Sequence, residues 1–159
     1  MTETAGTPGT SDSASTTAGG GSPPPQVWPT LRADDARGLI RFLVAAFGFV
    51  EVVTWTDQPD GGGEQVVHAQ LAWPEGGGIM LGSTRPPGTD DEWALPPGTF
   101  GAYVVTADPG AVHDRAVAAG ARITQPLHDT DYGSRDFAAL DPEDNRWSFG
   151  TYPGEPLHR

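Results

Sequence analysis

The sequence carries one short pattern twice, and this duplication constrains the fold more than any other feature. The segment WPEGGGIMLGST, residues 73–84, and the segment DPEDNRWSFGTY, residues 141–152, align without a gap. Both place Pro-Glu at the second and third positions and Gly at the tenth. Two copies are too few for a solenoid, which needs three or more repeats. The duplication instead predicts two related modules packed as a pair.

Each copy closes a segment that begins with a strand and a helix. In the first segment, Asp34 or Asp35 suits the N-cap of the helix, and Gly48 suits its C-terminal end. Between them, apolar residues advance in steps of three and one, which indicates a helix with one buried face. These residues are Ala36, Leu39, Ile40, Leu43, Val44 and Phe47.

The order strand, helix, strand, strand, strand then occurs in both segments. Predicted strands span residues 27–33, 49–56, 64–73 and 79–83, and again 99–107, 121–128, 134–140 and 146–152. The second helix, residues 110–119, follows Asp108 as N-cap and Pro109, a favoured residue at the first helical position. We therefore predict an α+β fold of two βαβββ modules, about 26–84 and 99–152, joined by a proline-rich connector, 85–98.

Composition limits the remaining possibilities. Residues 1–25 are rich in Gly, Ser, Thr and Pro and contain no aromatic residue, which predicts a disordered tail before a single domain, 26–159. The absence of cysteine excludes disulfides and thiolate ligands. A net charge of −12 argues against nucleic acid as a partner. No segment resembles a membrane span or an export signal, so we expect a cytoplasmic protein without a membrane partner.

Three stretches, FLVAAFGF, HAQLAWPEGGGIMLGS and DTDYGSRDFAALDPEDNRWSFGTY, together resemble the glyoxalase/bleomycin resistance/extradiol dioxygenase superfamily, also called vicinal oxygen chelate proteins. The resemblance covers residues 27–152 and is closest to small actinobacterial glyoxalase-like members. It implies that the two modules pair into a U-shaped, half-barrel sheet around a cavity, in a homodimer.

The resemblance also implies where a metal would be bound. Metal-using members supply one ligand from the first strand and one from the last strand of each module, and these positions correspond here to Trp28, Met80, Ala102 and Ser148. Indole, thioether, methyl and hydroxyl groups are poor ligands for a divalent ion. We therefore predict that this chain has lost the metal and uses no cofactor.

If those four residues line the cavity, alternation along the strands adds Thr30 and Val104. Such a lining suits an aromatic or cationic small molecule, as in the members that sequester antibiotics such as bleomycin. The alternative is that these side chains simply fill the space.

His68 is the one histidine inside an alternating strand, and its counterpart in the second module is Asp136. It is a candidate general base or ligand partner, with a structural position at the cavity rim as the alternative. The segment 128–136 resembles the loop that overhangs the cavity in relatives, which places Tyr132 and Arg135 at the mouth. Arg135 could bind an anionic group or pair with Asp136. Trp147 should face the helix layer, and Trp93 could mark a contact.

Three functions follow as hypotheses. The first is a metal-free homodimer that binds a small organic molecule, with antibiotic sequestration as the finer form. The second is a lyase, isomerase or dioxygenase of the same superfamily, which would require a divalent metal or an acid–base pair. The third is an interaction role with a filled cavity.

Overall fold

The computed structural model describes residues 27–156, and its elements follow the predicted order. The first module contains β1 (Thr30–Ala33), α1 (Ala36–Phe42) with a π-helical continuation (Leu43–Phe47), β2 (Val50–Asp57), β3 (Gln65–Ala72) and β4 (Gly78–Ser83). The second contains β5 (Gly101–Val105), α2 (Pro109–Ala118), β6 (Arg122–Asp129), β7 (Arg135–Leu140) and β8 (Arg146–Gly150). The predicted disordered tail, residues 1–25, lies outside the described residues.

Each module forms its own four-stranded sheet. The strand orders are β1-β4-β3-β2 and β5-β8-β7-β6, so the two sheets have the same topology. The first strand of each module pairs in parallel with the last, and the other pairs are antiparallel. The α+β class and the two βαβββ modules are therefore confirmed, with two sheets that do not close into a barrel.

Both helices begin and end where the sequence predicts. Asp35 accepts a hydrogen bond from the backbone N–H of Gly38 at 2.8 Å, and Asp108 accepts one from that of Ala111 at 2.9 Å. Gly48, with φ at 90°, ends the first helix in the left-handed conformation that favours glycine. Within residues 27–156 no helix is long and apolar enough to cross a bilayer.

One hydrophobic core joins the two modules. Phe47, from the first module, packs against Trp147 and Phe149 of β8, with ring centroids 5.6 and 4.8 Å apart. All three side chains are fully buried, which confirms that Trp147 faces the helix layer. Arg115 of α2 also donates to the backbone carbonyl of Phe47 at 2.7 Å, so the second helix binds the C-terminal end of the first.

This shared core gives each sheet two different faces. Alternate residues of the central strands point into the core, and we call this side the covered face. The other side, which we call the open face, carries the remaining residues, such as Thr30 and Met80 on the first sheet. The two covered faces lie in the same core, which leaves the open faces accessible to a ligand.

The duplicated Pro-Glu pattern has a structural explanation in contacts between the modules. Glu75, in the β3–β4 turn, accepts hydrogen bonds from the Thr106 hydroxyl at 2.7 Å and from the Ala107 N–H at 2.8 Å, just before α2. Glu143, in the β7–β8 turn, accepts from the N–H groups of Asp34 and Asp35 at 3.1 and 2.7 Å, just before α1.

Each module thus uses its last turn to bind the strand–helix corner of the other module. We call these two contacts the glutamate clasps. Their position at helix N-termini is favourable, because the N–H groups there have no partner within the helix and the helix dipole attracts a carboxylate. The repeat is therefore a pair of reciprocal contacts that relates the two modules.

The turn before β8 is further ordered by a buried carboxylate. Asp141 accepts a hydrogen bond from the Trp147 indole N–H at 2.9 Å and from the side-chain amide of Asn145 at 3.0 Å. At the corresponding place in the first module stands Trp73, whose indole N–H donates to the Val105 carbonyl at 2.8 Å. In the second module the residue at this position therefore stabilises its own turn. In the first module it binds the other module.

The glutamate clasps lead to a stability prediction. Glu75→Ala and Glu143→Ala should each lower the free energy of unfolding by about 1 kcal/mol, because each removes two hydrogen bonds to a carboxylate at a partly exposed site. The double variant should lose about the sum, since the two clasps have no residue in common. Urea unfolding of the four proteins measures this.

A matched control is Glu64→Ala, which removes an exposed ion pair with Arg37. Such pairs contribute about 0–1 kcal/mol, so this variant should stay closer to the parent chain. Equal losses in all three single variants would contradict a specific role for the clasps.

Candidate functional site

The open face of the first sheet holds three of the predicted ligand residues together. Thr30 of β1 lies opposite Met80 of β4, and Met80 lies opposite Gln70 of β3. Thr30, Met80 and His68 line one cavity of about 210 Å³. Its full lining is Thr30, Leu31, Arg32, Val67, His68, Met80, Leu81, Gly82, Trp93 and Leu95.

The connector forms one wall of this cavity, and an ion pair between β1 and the connector holds it there. Arg32 of β1 contacts Asp91 at 3.1 Å, and both side chains are largely buried. Arg32 also donates to the backbone carbonyl of Trp93 at 3.3 Å. These bonds hold Trp93 and Leu95 beside the open face. Because Arg32 follows Thr30 by two residues in a strand, alternation would have predicted that the two side chains lie on the same face.

His68 is half-buried, and its ring stacks on Trp55 of the neighbouring strand β2, with centroids 5.3 Å apart and planes 28° apart. Trp55 is 59% exposed, so the two rings form a flat aromatic surface next to the cavity. The imidazole therefore forms part of the cavity wall.

Trp28 lies beside the cavity rather than among its lining residues. Its indole packs over Gly78, where a Cβ would come within 2.7 Å of the ring. Gly78 is thus required for this contact at the start of β4.

On the second sheet the predicted register is wrong by one residue. Ala102 and Val104 lie on the covered face, opposite Trp147 and Phe149, and Val104 belongs to the core. Both also line a cleft of about 320 Å³ between the two modules. Tyr103, opposite Ser148, occupies the open face instead. The stretch GAYVV is apolar at both alternating positions, so the pattern alone could not decide which face is covered.

A buried carboxylate organises the open face of the second sheet. Asp136, the counterpart of His68, is 6% exposed. It accepts hydrogen bonds from the hydroxyls of Tyr132 at 2.9 Å and Tyr103 at 3.3 Å, and from Ser134. A Cβ at Gly150 would collide with both Asp136 and Tyr103. The repeated glycine of the sequence pattern therefore makes room for this cluster.

Two other predicted residues have defined partners. Ser148 is half-buried and lies between Tyr103 and Ala138 in the sheet. Arg135 pairs with Asp129 at 2.7 Å on the surface, whereas the sequence analysis named Asp136 as its ionic partner. Asp136 is bound by hydroxyl groups instead, because it points to the opposite side of β7 from Arg135.

The two open faces line separate cavities within the described residues. The first cavity is built from β1, β3, β4 and the connector. A wider groove of about 690 Å³ lies on the second module, between Tyr103, Val105, Tyr132 and the segment after β8. Neither has lining residues from both modules.

The residues at the positions implied for metal ligands do not fit a divalent ion. Strand pairing places Thr30 opposite Met80 and Tyr103 opposite Ser148, so Thr30 and Tyr103 stand on the open faces where the resemblance implied Trp28 and Ala102. These side chains offer neutral hydroxyls and a thioether. Among residues 27–156 no group of three or more His, Asp or Glu side chains is arranged to hold a metal.

Comparison with known proteins places this geometry in a family context. A model of the Glyoxalase/Bleomycin resistance protein/Dioxygenase superfamily matches residues 26–149. An uncharacterised protein of Mycobacterium bovis is 33% identical over 131 residues, 79% of this chain and 82% of that protein. An uncharacterised protein of Mycobacterium tuberculosis is also 33% identical over 131 residues, 79% of this chain and 74% of its own length.

Solved structures show the same fold. TioX from Micromonospora sp. ML1 superposes with a TM-score of 0.59 at 29% identity, covering 78% of this chain and 97% of TioX. The fosfomycin resistance protein FosX from Listeria monocytogenes, solved with Mn(II) and a dihydroxypropylphosphonic acid, has a TM-score of 0.54 at 13% identity. That match covers 79% of this chain and 90% of FosX, and at this identity it shows the fold alone.

The Asp136 cluster leads to a prediction at alkaline pH. The hydrogen bond to Asp136, together with partial desolvation and the charge of that carboxylate, raises the pKa of Tyr132 above its usual value of 10.0. A raised pKa in the folded state means that the protonated phenol stabilises the fold below about pH 10, and that this contribution is lost as the pH rises through the folded pKa.

Tyr132→Phe should therefore flatten the loss of stability above about pH 10 relative to the parent chain. Urea unfolding across that range measures it. The control is Val117→Ala, which shortens an exposed side chain of α2 and removes no titratable group, so it should leave the alkaline slope unchanged. If Tyr132→Phe left the alkaline slope unchanged, the bond to Asp136 would not exist in solution.

Proposed function

The chain belongs to the glyoxalase/bleomycin resistance protein/dioxygenase superfamily, and we propose that within it the protein binds a small organic molecule without transforming it. The observation that carries this proposal is the lining of the cavity on the open face of the first sheet. Around Met80 this lining combines a thioether, an indole and an imidazole with aliphatic side chains, the hydroxyl of Thr30 and the paired guanidinium of Arg32. Such surfaces favour planar or aromatic ligands.

The charge distribution supports a cationic ligand. The one guanidinium in the cavity wall belongs to Arg32, and its partner Asp91 offsets its charge at 3.1 Å. The whole chain has a net charge of −12, which attracts cations toward its clefts. Antibiotic sequestration is the finer form of the proposal, and it draws on the bleomycin resistance proteins that give the superfamily part of its name.

We further propose that the working form is a homodimer in which the open face of the first sheet meets the open face of the second sheet of another copy. The cavity on the first open face and the groove on the second open face share no lining residue. A site that combines these two open faces would therefore require a second chain. Ligand pockets usually cover most of the surface of the bound molecule, which a single open face does not.

An enzymatic role is the second candidate, and His68 is the observation that favours it. A half-buried imidazole in the wall of a cavity is a suitable general base. The superfamily members that are lyases, isomerases or dioxygenases use a divalent metal, for which the side chains on the open faces provide no suitable ligands. The acid–base form of this candidate therefore depends on His68 alone.

Ligand binding can be tested with bleomycin and with ethidium, a planar aromatic cation. We expect saturable quenching of tryptophan fluorescence by at least one of them and unchanged ligand in mass spectrometry. Met80→Ala should weaken binding about 5-fold to 10-fold, since it removes most of one buried apolar contact.

Val117→Ala is the matched control. It shortens an apolar side chain that is 50% exposed on α2, away from both cavities, and should leave affinity unchanged. The absence of quenching by both probes would count against the binding proposal, and a chemically altered ligand would favour the enzyme. Sedimentation at micromolar concentrations should show a dimer, and a monomer would refute the shared site.

Metal content provides an independent test. Protein purified without an affinity tag should contain far less than one equivalent of zinc, nickel, manganese or iron by elemental analysis, because neutral oxygen and thioether ligands hold these ions weakly. Adding each ion should leave the melting temperature unchanged. One tightly bound equivalent that is lost in Met80→Ala would refute the metal-free form of the proposal.

A further inference from the structure

All three tyrosines of the chain line one groove. Tyr103 comes from β5, Tyr132 from the β6–β7 turn and Tyr152 from the segment after β8, and they meet on the open face of the second sheet. The rings of Tyr132 and Tyr152 lie 5.8 Å apart, nearly perpendicular to each other. The side chains are 42%, 60% and 38% exposed in chain order. Much of this aromatic surface is therefore available to a ligand.

Each tyrosine hydroxyl is bound to a carboxylate. Those of Tyr103 and Tyr132 donate to the two oxygens of Asp136 at 3.3 and 2.9 Å. The hydroxyl of Tyr152 donates to Glu155 at 2.9 Å. Tyr103 also accepts a hydrogen bond from the backbone N–H of Tyr152 at 3.2 Å. These bonds fix the rings before any ligand arrives, and donation to an anion increases the electron density of each ring.

The groove is negative as well as aromatic. Its lining residues, Tyr103, Val105, Tyr132, Tyr152, Pro153, Gly154 and Glu155, include one acid and no base. Asp136 adds a second carboxylate just beneath the rings, where it is 6% exposed. The neighbouring cation, Arg135, is paired with Asp129 at 2.7 Å. Nothing in the lining therefore repels a positively charged ligand.

We propose that this groove binds the head group of an organic ammonium cation, such as a trimethylammonium group. Several electron-rich rings near a carboxylate attract a weakly hydrated cation, since the ring faces replace the water that it loses. An inorganic cation fits poorly, because it requires several free oxygen ligands and both oxygens of Asp136 already accept hydroxyl groups. This inference rests on the proposed function, because both take the ligand to be cationic. It adds that the positively charged part of the ligand is an organic ammonium group.

The three tyrosines also provide the assay. The full chain labelled with ¹³C at the tyrosine rings should give signals from this groove alone, because no other tyrosine is present. Titration with choline should produce saturable shifts in the millimolar range. The neutral isostere 3,3-dimethylbutan-1-ol has the same shape without the charge, and it should bind about 5-fold more weakly or worse.

A pair of variants at one position separates the ring from its hydroxyl. Tyr132→Leu should weaken choline binding about 5-fold, whereas Tyr132→Phe, which keeps the aromatic face, should stay within about 2-fold of the parent chain. The signals of Tyr103 and Tyr152 report whether each variant is folded. Val117→Ala should bind choline as the parent does.

Equal affinity for choline and its isostere would overturn the proposal, as would unchanged choline affinity in Tyr132→Leu or the absence of saturable shifts. These results can be told apart from failure of the proposed function. If ethidium quenched tryptophan fluorescence and Met80→Ala weakened this effect, the proposed function would be supported even if choline did not bind. Conversely, choline-induced shifts without tryptophan quenching by either probe would support the ammonium groove. They would also show that the cavity of the first sheet does not bind these ligands.

Discussion

The packing of Phe47 against Trp147 and Phe149 is the interaction on which the rest of the structure depends. It places a residue of the first module against the covered face of the second sheet, so that both sheets are covered by one core. Because the core occupies one face of each sheet, the opposite faces are left open. The π-helical turn and Gly48 end the first helix at the point where Phe47 reaches β8 and where Arg115 binds its carbonyl.

The duplicated segments show how two copies of one module acquire different roles within this arrangement. Glu75 and Glu143 retain the same task, since each binds the strand–helix corner of the other module. The side chains above the repeated glycines differ. Arg32 extends over Gly82 and orders the connector, whereas Asp136 and Tyr103 occupy the space above Gly150. The scaffold is therefore symmetric, and the two open faces are chemically distinct.

This difference determines the kind of ligand that the protein can accept. The first open face offers thioether, indole and imidazole groups beside a neutralised guanidinium, and the second offers tyrosine rings backed by carboxylates. Together they suit a molecule with a planar apolar body and a cationic head. Neither face presents the convergent imidazole and carboxylate groups with which metal-using proteins of this fold class bind an ion.

The sequence by itself determined the element order and the helix caps at Asp35 and Asp108, because these depend on local periodicity and turn chemistry. The family resemblance, extended by alternation along the strands, indicated the face of Met80 and Thr30 and the opposite face of Trp147. The sequence could not place Ala102 and Val104, since GAYVV is apolar on both faces and only pairing with β8 selects which one is buried. The partners of Arg32, Glu75, Glu143 and Asp136 were also decided by the tertiary structure. These contacts join residues distant in the chain, or groups whose orientation depends on which face of a strand is covered, and no local pattern encodes either.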